Sequence, residues 1–199
     1  LLVSSAASDV YKRQGITCAE VITDALGKKN GCLAALVDGQ EKDMSHEIHQ
    51  SCKVEGIKAE SDAGMYILRH STAHLLAQAV TELYPDAKPT IGPAIDRGFY
   101  YDFAMEPITE ADLKPIQKKM QELARRNFTV ERIELDDSEL REHFATNSYK
   151  LEIIDDKIGE GTGSTIYKQG DWYDLCLGPH VSNTGKLMFC KLTSVSSAY

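Results

Sequence analysis

The sequence predicts an α+β protein built as a small unit followed by a larger one, and three observations carry that expectation. A run without Gly or Pro from Met65 to Tyr84 is long enough for a substantial helix. Ahead of it, Cys32-Leu-Ala-Ala-Leu-Val37 is a short apolar run closed by Asp38-Gly39, which reads as a buried strand and a hairpin turn. Between the two, Glu60 to Gly64 is polar enough to be a linker, so residues 15–62 and 63–199 are expected to fold as separate units. The chain's 199 residues suffice for one sizeable core or two small ones.

Taken in order, Ser4 to Gln14 reads as the in-frame translation of a transposase adapter used in sequencing libraries. Residues 1–14 are therefore expected to be a non-native tail without part in the fold. Cys18 to Leu26 suggests a short helix, and Lys53 to Ala59 a second strand of the small unit. The larger unit opens with the helix from Met65, which Pro85 ends. Ile91-Gly-Pro93 leads to an aromatic strand, Phe99-Tyr-Tyr-Asp-Phe103. From Thr109 to Asn127, Leu113, Ile116, Met120 and Leu123 recur at helical spacing, with Thr109 and Asp112 as an N-cap pattern and Pro115 in the early turns. Ser138 to Thr146 is a further helical stretch. Thr165 to Gln169 and Trp172 to Cys176 are strand candidates around Gly170, and Leu187 to Val195 is expected to close the chain as a strand.

Composition narrows the function. Hydrophobic residues at 42% and charged ones at 26% are ordinary globular values, and no apolar stretch approaches the ~18 residues of a membrane span. A net charge of −8 argues against coating nucleic acid by bulk electrostatics, although Lys114, Lys118, Lys119, Arg125 and Arg126 give one helix a basic character. That character reads first as a solvated face. Five cysteines, irregularly spaced and without a CxxC pair, point to reduced thiols in a cytosolic compartment.

The chemistry concentrates in two short segments. His70 and His74 stand four apart in Arg69-His-Ser-Thr-Ala-His-Leu-Leu76, so a helix stacks their imidazoles on one face. At about 100° per residue, Met65, Leu68, Leu75, Leu76, Ala79 and Leu83 cluster on one side. The two histidines fall on the other, with Ala63, Ala77 and Thr81. About a hundred residues later, Cys176 and His180 bracket the turn Gly178-Pro179 in Asp174-Leu-Cys-Leu-Gly-Pro-His180. If Trp172 to Cys176 is extended, Trp172, Asp174 and Cys176 share one face. Two histidines, a thiol and a third histidine suit either a tetrahedral zinc site or a hydrolytic centre.

HSTAHLLAQAV, IGPAIDRGFYYDF, the DLCLGPH turn and the closing KLTSVSSAY, in that order, make the chain resemble the amino-terminal part of a bacterial threonyl-tRNA synthetase from about Gly15 to Tyr199. The resemblance implies a TGS domain of β-grasp type over 15–62, lacking its first hairpin. Over 63–199 it implies an α+β editing domain of the threonyl/alanyl-tRNA synthetase type, stopping before the aminoacylation core. It also implies hydrolysis of mischarged Ser-tRNA(Thr), with His70, His74, Lys150, Cys176 and His180 as catalytic residues and Tyr101 and Asp174 as substrate-binding ones. On this reading His70 is the general base, Lys150 stabilises negative charge, and Asp174 holds the seryl amine or orients a neighbour.

The same resemblance implies no cofactor in this segment, with ATP, Mg and Zn serving the core of the full ligase. It implies the tRNA(Thr) acceptor end and the rest of the synthetase as partners, a homodimeric parent, and a cytoplasmic location without membrane contact. Two alternatives stay open. One is a non-catalytic tRNA-binding appendage. The other is a zinc-dependent alanyl-tRNA editing domain with His70, His74, Cys176 and His180 as ligands.

Overall fold

In a computed structural model, residues 15–157 and 164–196 are described; the adapter-like tail and the last three residues of the closing motif lie outside them. By its contacts the chain divides into two compact units. One holds the described residues up to Leu68 together with Gly178–Ser182, and the other holds Arg69–Leu177 and the described residues from Asn183 onward.

In the first unit, β1 (Ile16–Thr17) leads directly into α1 (Cys18–Leu26). Thr17 accepts from the Glu20 N–H at 3.3 Å, and Glu20 accepts from the Thr17 N–H at 2.8 Å, a reciprocal cap that fixes where the helix starts. Gly27, at φ 83°, ends it. Then follow β2 (Cys32–Val37), β3 (Gln40–Asp43), β4 (Glu47–Ile48) and β5 (Val54–Lys58), with the three-stranded sheet in the order β3-β2-β5 and β4 paired to β1. Asp38 and Gly39 both have positive φ, at 49° and 81°, so the β2–β3 hairpin closes through a two-residue turn whose twist matches its strands. Cys18, Val21 and Ile22 of α1 pack on Cys32, Ala35, Met44, Ile48 and Val54. These cysteines are core thiols, and none of the chain's five, all among the described residues, is in a disulfide. Burial pushes the Cys18 thiol up to about 11, helped by the neighbouring Cys52, so it is protonated and inert at neutral pH.

The polar stretch from Glu60 is not a linker over its whole length, because α2 runs Asp62–Leu83. Ser61 starts it by accepting from the Gly64 N–H at 3.1 Å. A Cβ at Gly64 would overlap the Lys58 carbonyl, so a glycine inside this first turn lets the helix leave close to the preceding strand.

The second unit is organised by an antiparallel sheet in the order β10 (Val130–Leu135), β11 (Ser164–Gln169), β12 (Trp172–Leu175). The sheet's period of two divides its faces. Ile133, Leu135, Ile166, Tyr173 and Leu175 pack with Leu140 and Phe144 from α4 (Asp137–His143) and its end, and with Ile154 of α5 (Ser148–Lys157). The other face turns Gln169, Trp172 and Asp174 towards α2, where Gln169 Nε2 donates to Gln78 Oε1 at 2.8 Å. Gln78 in turn donates to Glu82 at 2.9 Å, and Glu82 pairs with Lys119 of α3 (Glu110–Arg126) at 2.8 Å. The i+4 row of α2, His70, His74, Gln78 and Glu82, is therefore a polar ridge. Burial does not follow the expected one-sided stripe, since Ser71 through Val80 are all buried while Met65 and Leu83 are partly exposed.

The aromatic segment is not one strand. In the hairpin of β6 (Lys88–Pro89) and β7 (Ala94–Ile95) with β8 (Gly98–Phe99) and β9 (Phe103–Ala104), β8 pairs with β7 and β9 with β6. Thr90 donates to the Asp102 carbonyl, and Asp102 donates back to Ile91 instead of Thr90, both at 2.9 Å, so two residues oppose one in a β-bulge. The closing strand expected from Leu187 is also absent. Thr184–Leu187 forms a 3-10 turn, and the irregular segment after it is held by Gln117, which donates to the Cys190 carbonyl at 3.0 Å and accepts from Leu192 N–H at 2.7 Å. A side-chain amide replaces the strand partner these backbone groups would otherwise need.

α3 carries the expected cap, with Asp112 accepting from the Thr109 N–H at 2.8 Å and from its hydroxyl at 2.9 Å, and it continues through Pro115. Its basic character is partly neutralised by pairs from Lys119 and Arg126 to Glu122.

The Gln78–Gln169 bond is buried on both sides, at 2% and 3% exposure. Gln169→Leu is expected to lower unfolding stability by about 1–3 kcal/mol, the cost of a stranded buried amide. In urea titrations the Gln78→Leu/Gln169→Leu pair should lose less than the two single losses added together.

Candidate functional site

The sheet face that meets α2 carries the site. Cys176 follows β12 and continues its pairing, since its N–H donates to the Thr165 carbonyl at 3.0 Å and the Thr165 hydroxyl donates back to the Cys176 carbonyl. This pins the thiol in register opposite the helix. His70 Nε2 lies 3.0 Å from Cys176 Sγ, and the rings of His70 and His74 are 5.2 Å apart. The rings of Trp172 and His74 stand nearly perpendicular, with centroids 5.7 Å apart. Thus Trp172, Asp174 and Cys176, which a period of two puts on one face, all turn towards the histidine helix. A one-residue slip of β12 would carry them to the apolar face.

Asp174 is the hub of the second half of the site. It is 2% exposed, and its Oδ1 accepts from the Lys150 ammonium at 2.6 Å and from the Leu175 N–H at 2.8 Å. Its Oδ2 accepts from the Tyr101 hydroxyl, which itself accepts from Lys150 Nζ at 3.2 Å. Both carboxylate oxygens are engaged inside the protein. This arrangement gives Asp174 the work of orienting Lys150 and Tyr101 and leaves little of it for a substrate amine.

Lys150 reaches the hub from α5, a helix not expected from the sequence. Its preceding Asn147 accepts from the Lys150 N–H through the carbonyl, at 3.1 Å, and donates through Nδ2 to the Pro89 carbonyl at 2.9 Å, tying helix to hairpin. Asn147, immediately before the helix, was the readable signal. Gln78, Gln169, Thr165 and Asn147 support the site and were not singled out by motif. Their roles depend on partners about 60 or more residues away for Asn147 and Gln78, and on strand register for Thr165.

Electrostatics follow from burial. Desolvation lowers the His74 titration well below the ordinary histidine value, with the neighbouring His70 and Lys150 adding to it. The 4.0 Å approach of His74 Nε2 to Asp174 is therefore that of a neutral ring, not an ion pair. His70 is also lowered by burial, partly offset by the Asp174 charge. Both imidazoles are neutral at pH 7 and able to accept a proton. Burial and Asp174 push the Tyr101 phenol well above the usual tyrosine range, so it remains a donor.

The donor atoms of His70, His74 and Cys176 lie within 4.8 Å of one another. A tetrahedral zinc with bonds of about 2.0–2.3 Å spaces its ligands by roughly 3.5 Å, so small side-chain movements would let this N/S set hold the ion. His180, the remaining residue of the sequence-derived quartet, lies in the segment Gly178–Ser182 that groups with the first unit. It is buried there, and its backbone N–H donates to Asp43 Oδ1 at 2.9 Å.

Residues 164–198 match the family described as threonyl and alanyl tRNA synthetase second additional domain. The chain is 49% identical over 183 residues to a threonine–tRNA ligase of Alkalilimnicola ehrlichii, which covers 89% of this chain and 28% of that protein. It is 42% identical over 191 residues to a protein of the same name from Thermoplasma acidophilum, covering 96% of this chain and 28% of the relative. With the one from Saccharophagus degradans it shares 48% identity over 176 residues, 87% of this chain and 28% of the relative. The chain thus spans about 28% of the length of these curated relatives.

Two outcomes follow from the hub and the histidines. Lys150→Met strands a buried carboxylate and is expected to cost about 3–5 kcal/mol in denaturant unfolding, whereas Lys150→Met with Asp174→Leu should recover most of that loss. Because folding depresses both imidazoles, the unfolded chain binds more protons as the pH falls past the ordinary histidine value of about 6.5. The associated stability is therefore complete above that value and lost as pH drops through the depressed ones. Melting temperature should fall from pH 7 to pH 5, and His74→Gln should flatten that dependence.

Proposed function

We propose that this chain is the TGS and editing part of a bacterial threonine–tRNA ligase, and that its second unit hydrolyses mischarged Ser-tRNA(Thr). The observation that carries the reading is the pair of neutral imidazoles, His70 and His74, with Cys176 against His70, beside the Lys150–Asp174–Tyr101 hub. It lies in a chain similar over most of its length to proteins named threonine–tRNA ligase. The small sheet and α1 of residues up to 62 are compatible with the TGS part of the proposal.

The chemical need is discrimination. Serine lacks one methyl group of threonine, and a difference of that size in a pocket is worth only about 1–3 kcal/mol, so a second site that destroys the smaller product sharpens selection. In the proposed reaction, water adds to the seryl ester carbonyl while His70 takes its proton, directly or through the terminal ribose hydroxyl. The bond from the acyl carbon to the ribose oxygen then breaks, and the returned proton leaves serine and free tRNA. Lys150, held by Asp174 and Tyr101, supplies positive charge for the oxyanion. Cys176 and, by motif order, His180 position the seryl group and the water. By resemblance, threonine attachment with ATP, Mg and Zn belongs to the rest of such a ligase, a cytoplasmic homodimer acting on the tRNA(Thr) acceptor end.

A second reading is favoured by the compact N/S donor set. His70, His74 and Cys176, with His180 by motif, would hold zinc, which when bound lowers the pKa of a coordinated water. The third, a tRNA-binding appendage without turnover, takes its support from the basic residues of α3.

One assay separates them. The chain is expected to accelerate deacylation of Ser-tRNA(Thr), unchanged by chelator, and His70→Ala should reduce that rate by about 10²-fold or more, the scale of a lost general base. Stoichiometric zinc and loss of turnover with chelator would establish the second reading. Retention of tRNA without any rate increase would establish the third.

A further inference from the structure

The bulged hairpin sets Gly92 directly across from Tyr101. Asp102 N–H donates to the Ile91 carbonyl at 2.9 Å and Tyr100 N–H to that of Pro93 at 3.4 Å, which makes Gly92 and Tyr101 the non-hydrogen-bonded pair between them. Such pairs bring Cα atoms to about 4.5 Å and their side chains closest together. Gly92 is not among the glycines with positive φ, so its backbone does not require glycine. Space does. A Cβ at Gly92 would fall 2.8 Å from Tyr101 Cγ and nearer still to Cδ2 and Cε2.

The ring has little freedom to yield. Tyr101 is 8% exposed, its hydroxyl is bonded to Asp174 and Lys150, and Phe103 stacks on it at 5.0 Å. We infer that Gly92 is a positioning residue of the site: the bare backbone at Gly92 is the seat that sets the Tyr101 phenol on Asp174 and, through it, aims the Lys150 ammonium. An added methyl group would move the phenol by about an ångström, a displacement that can cost 10²-fold in rate when it disturbs catalytic geometry. Glycine opposite an aromatic ring is a known way to settle such a ring over a strand. Here the consequence is chemical, because the ring's hydroxyl carries one of the hub's bonds.

The kinetic side of this inference rests on the proposed ester hydrolysis, but its geometry can be read without RNA. In proton NMR of the intact chain, the Tyr101 hydroxyl is expected as a downfield, slowly exchanging resonance that disappears in Tyr101→Phe. Gly92→Ala should shift or abolish it. An unchanged resonance in folded Gly92→Ala overturns the inference even if Ser-tRNA(Thr) is hydrolysed. A wild-type chain without hydrolysis refutes the function but leaves this geometric result standing.

Where hydrolysis is measured, Gly92→Ala should lower kcat by about 10²-fold with KM little changed. Added to Tyr101→Phe, it should cost no more than a further twofold to threefold, since both act through one hydroxyl; full multiplication of the two losses would overturn the role. If Gly92→Ala does not fold, Gly92→Ala/Tyr101→Leu removes the obstructing ring and should regain a cooperative melt. Failure to regain it would place the fault elsewhere and sink the inference.

Discussion

The buried carboxylate of Asp174 is the constraint on which the second unit turns. A charge at 2% exposure survives only if its oxygens are satisfied, and here that takes an ammonium, a phenol and a backbone N–H. Those groups come from α5, from the bulged hairpin and from β12 itself. Satisfying one residue therefore fixes where a helix, a hairpin and a strand meet. It also fixes the register of β12, so that Cys176 two residues later is delivered to His70.

The sheet resolves the competition between stability and chemistry by using its two faces differently. Towards α4 and α5 it is apolar and builds an ordinary core around Leu140, Ile154 and Ile166. Towards α2 it is polar, and the helix answers with the ridge of His70, His74 and Gln78. Burial there has a cost in desolvation, but it also holds the imidazoles neutral at the pH where a base is useful. The Gln78–Gln169 bond belongs to the same design, because it locks helix to strand without introducing a charge beside those rings.

Much of the first unit was legible residue by residue. Thr17 to Glu20 and the Asp38-Gly39 turn act through neighbours in sequence, and α1, β2 and the hairpin lie where the local chemistry puts them. In the second unit the same logic failed where distant partners intervened. The aromatic run Phe99 to Phe103 reads as one strand, yet the bulge opposite Asp102 divides it and aims Tyr101. The closing segment has strand-like composition, but Gln117 satisfies its backbone in an irregular path. The stretch Val130–Leu135 became a strand although its apolar residues, only partly buried, make a weak signal. α5 was missed because its signal is a short polar cap.

By itself the sequence determined the chemistry available: two imidazoles at helical spacing, a thiol and a carboxylate at strand spacing, and motifs whose order resembles one synthetase family. It also determined that Asp174 and Cys176 would face the same way if their segment were extended. Only the tertiary structure decided that Asp174 spends both oxygens on Lys150 and Tyr101, that Lys150 arrives on a helix of its own, and that Gly92 makes room for the ring. The reason is physical. Spacing along a chain sets which side chains share a face, whereas burial and pairing depend on what the rest of the chain brings against that face, from tens of residues away.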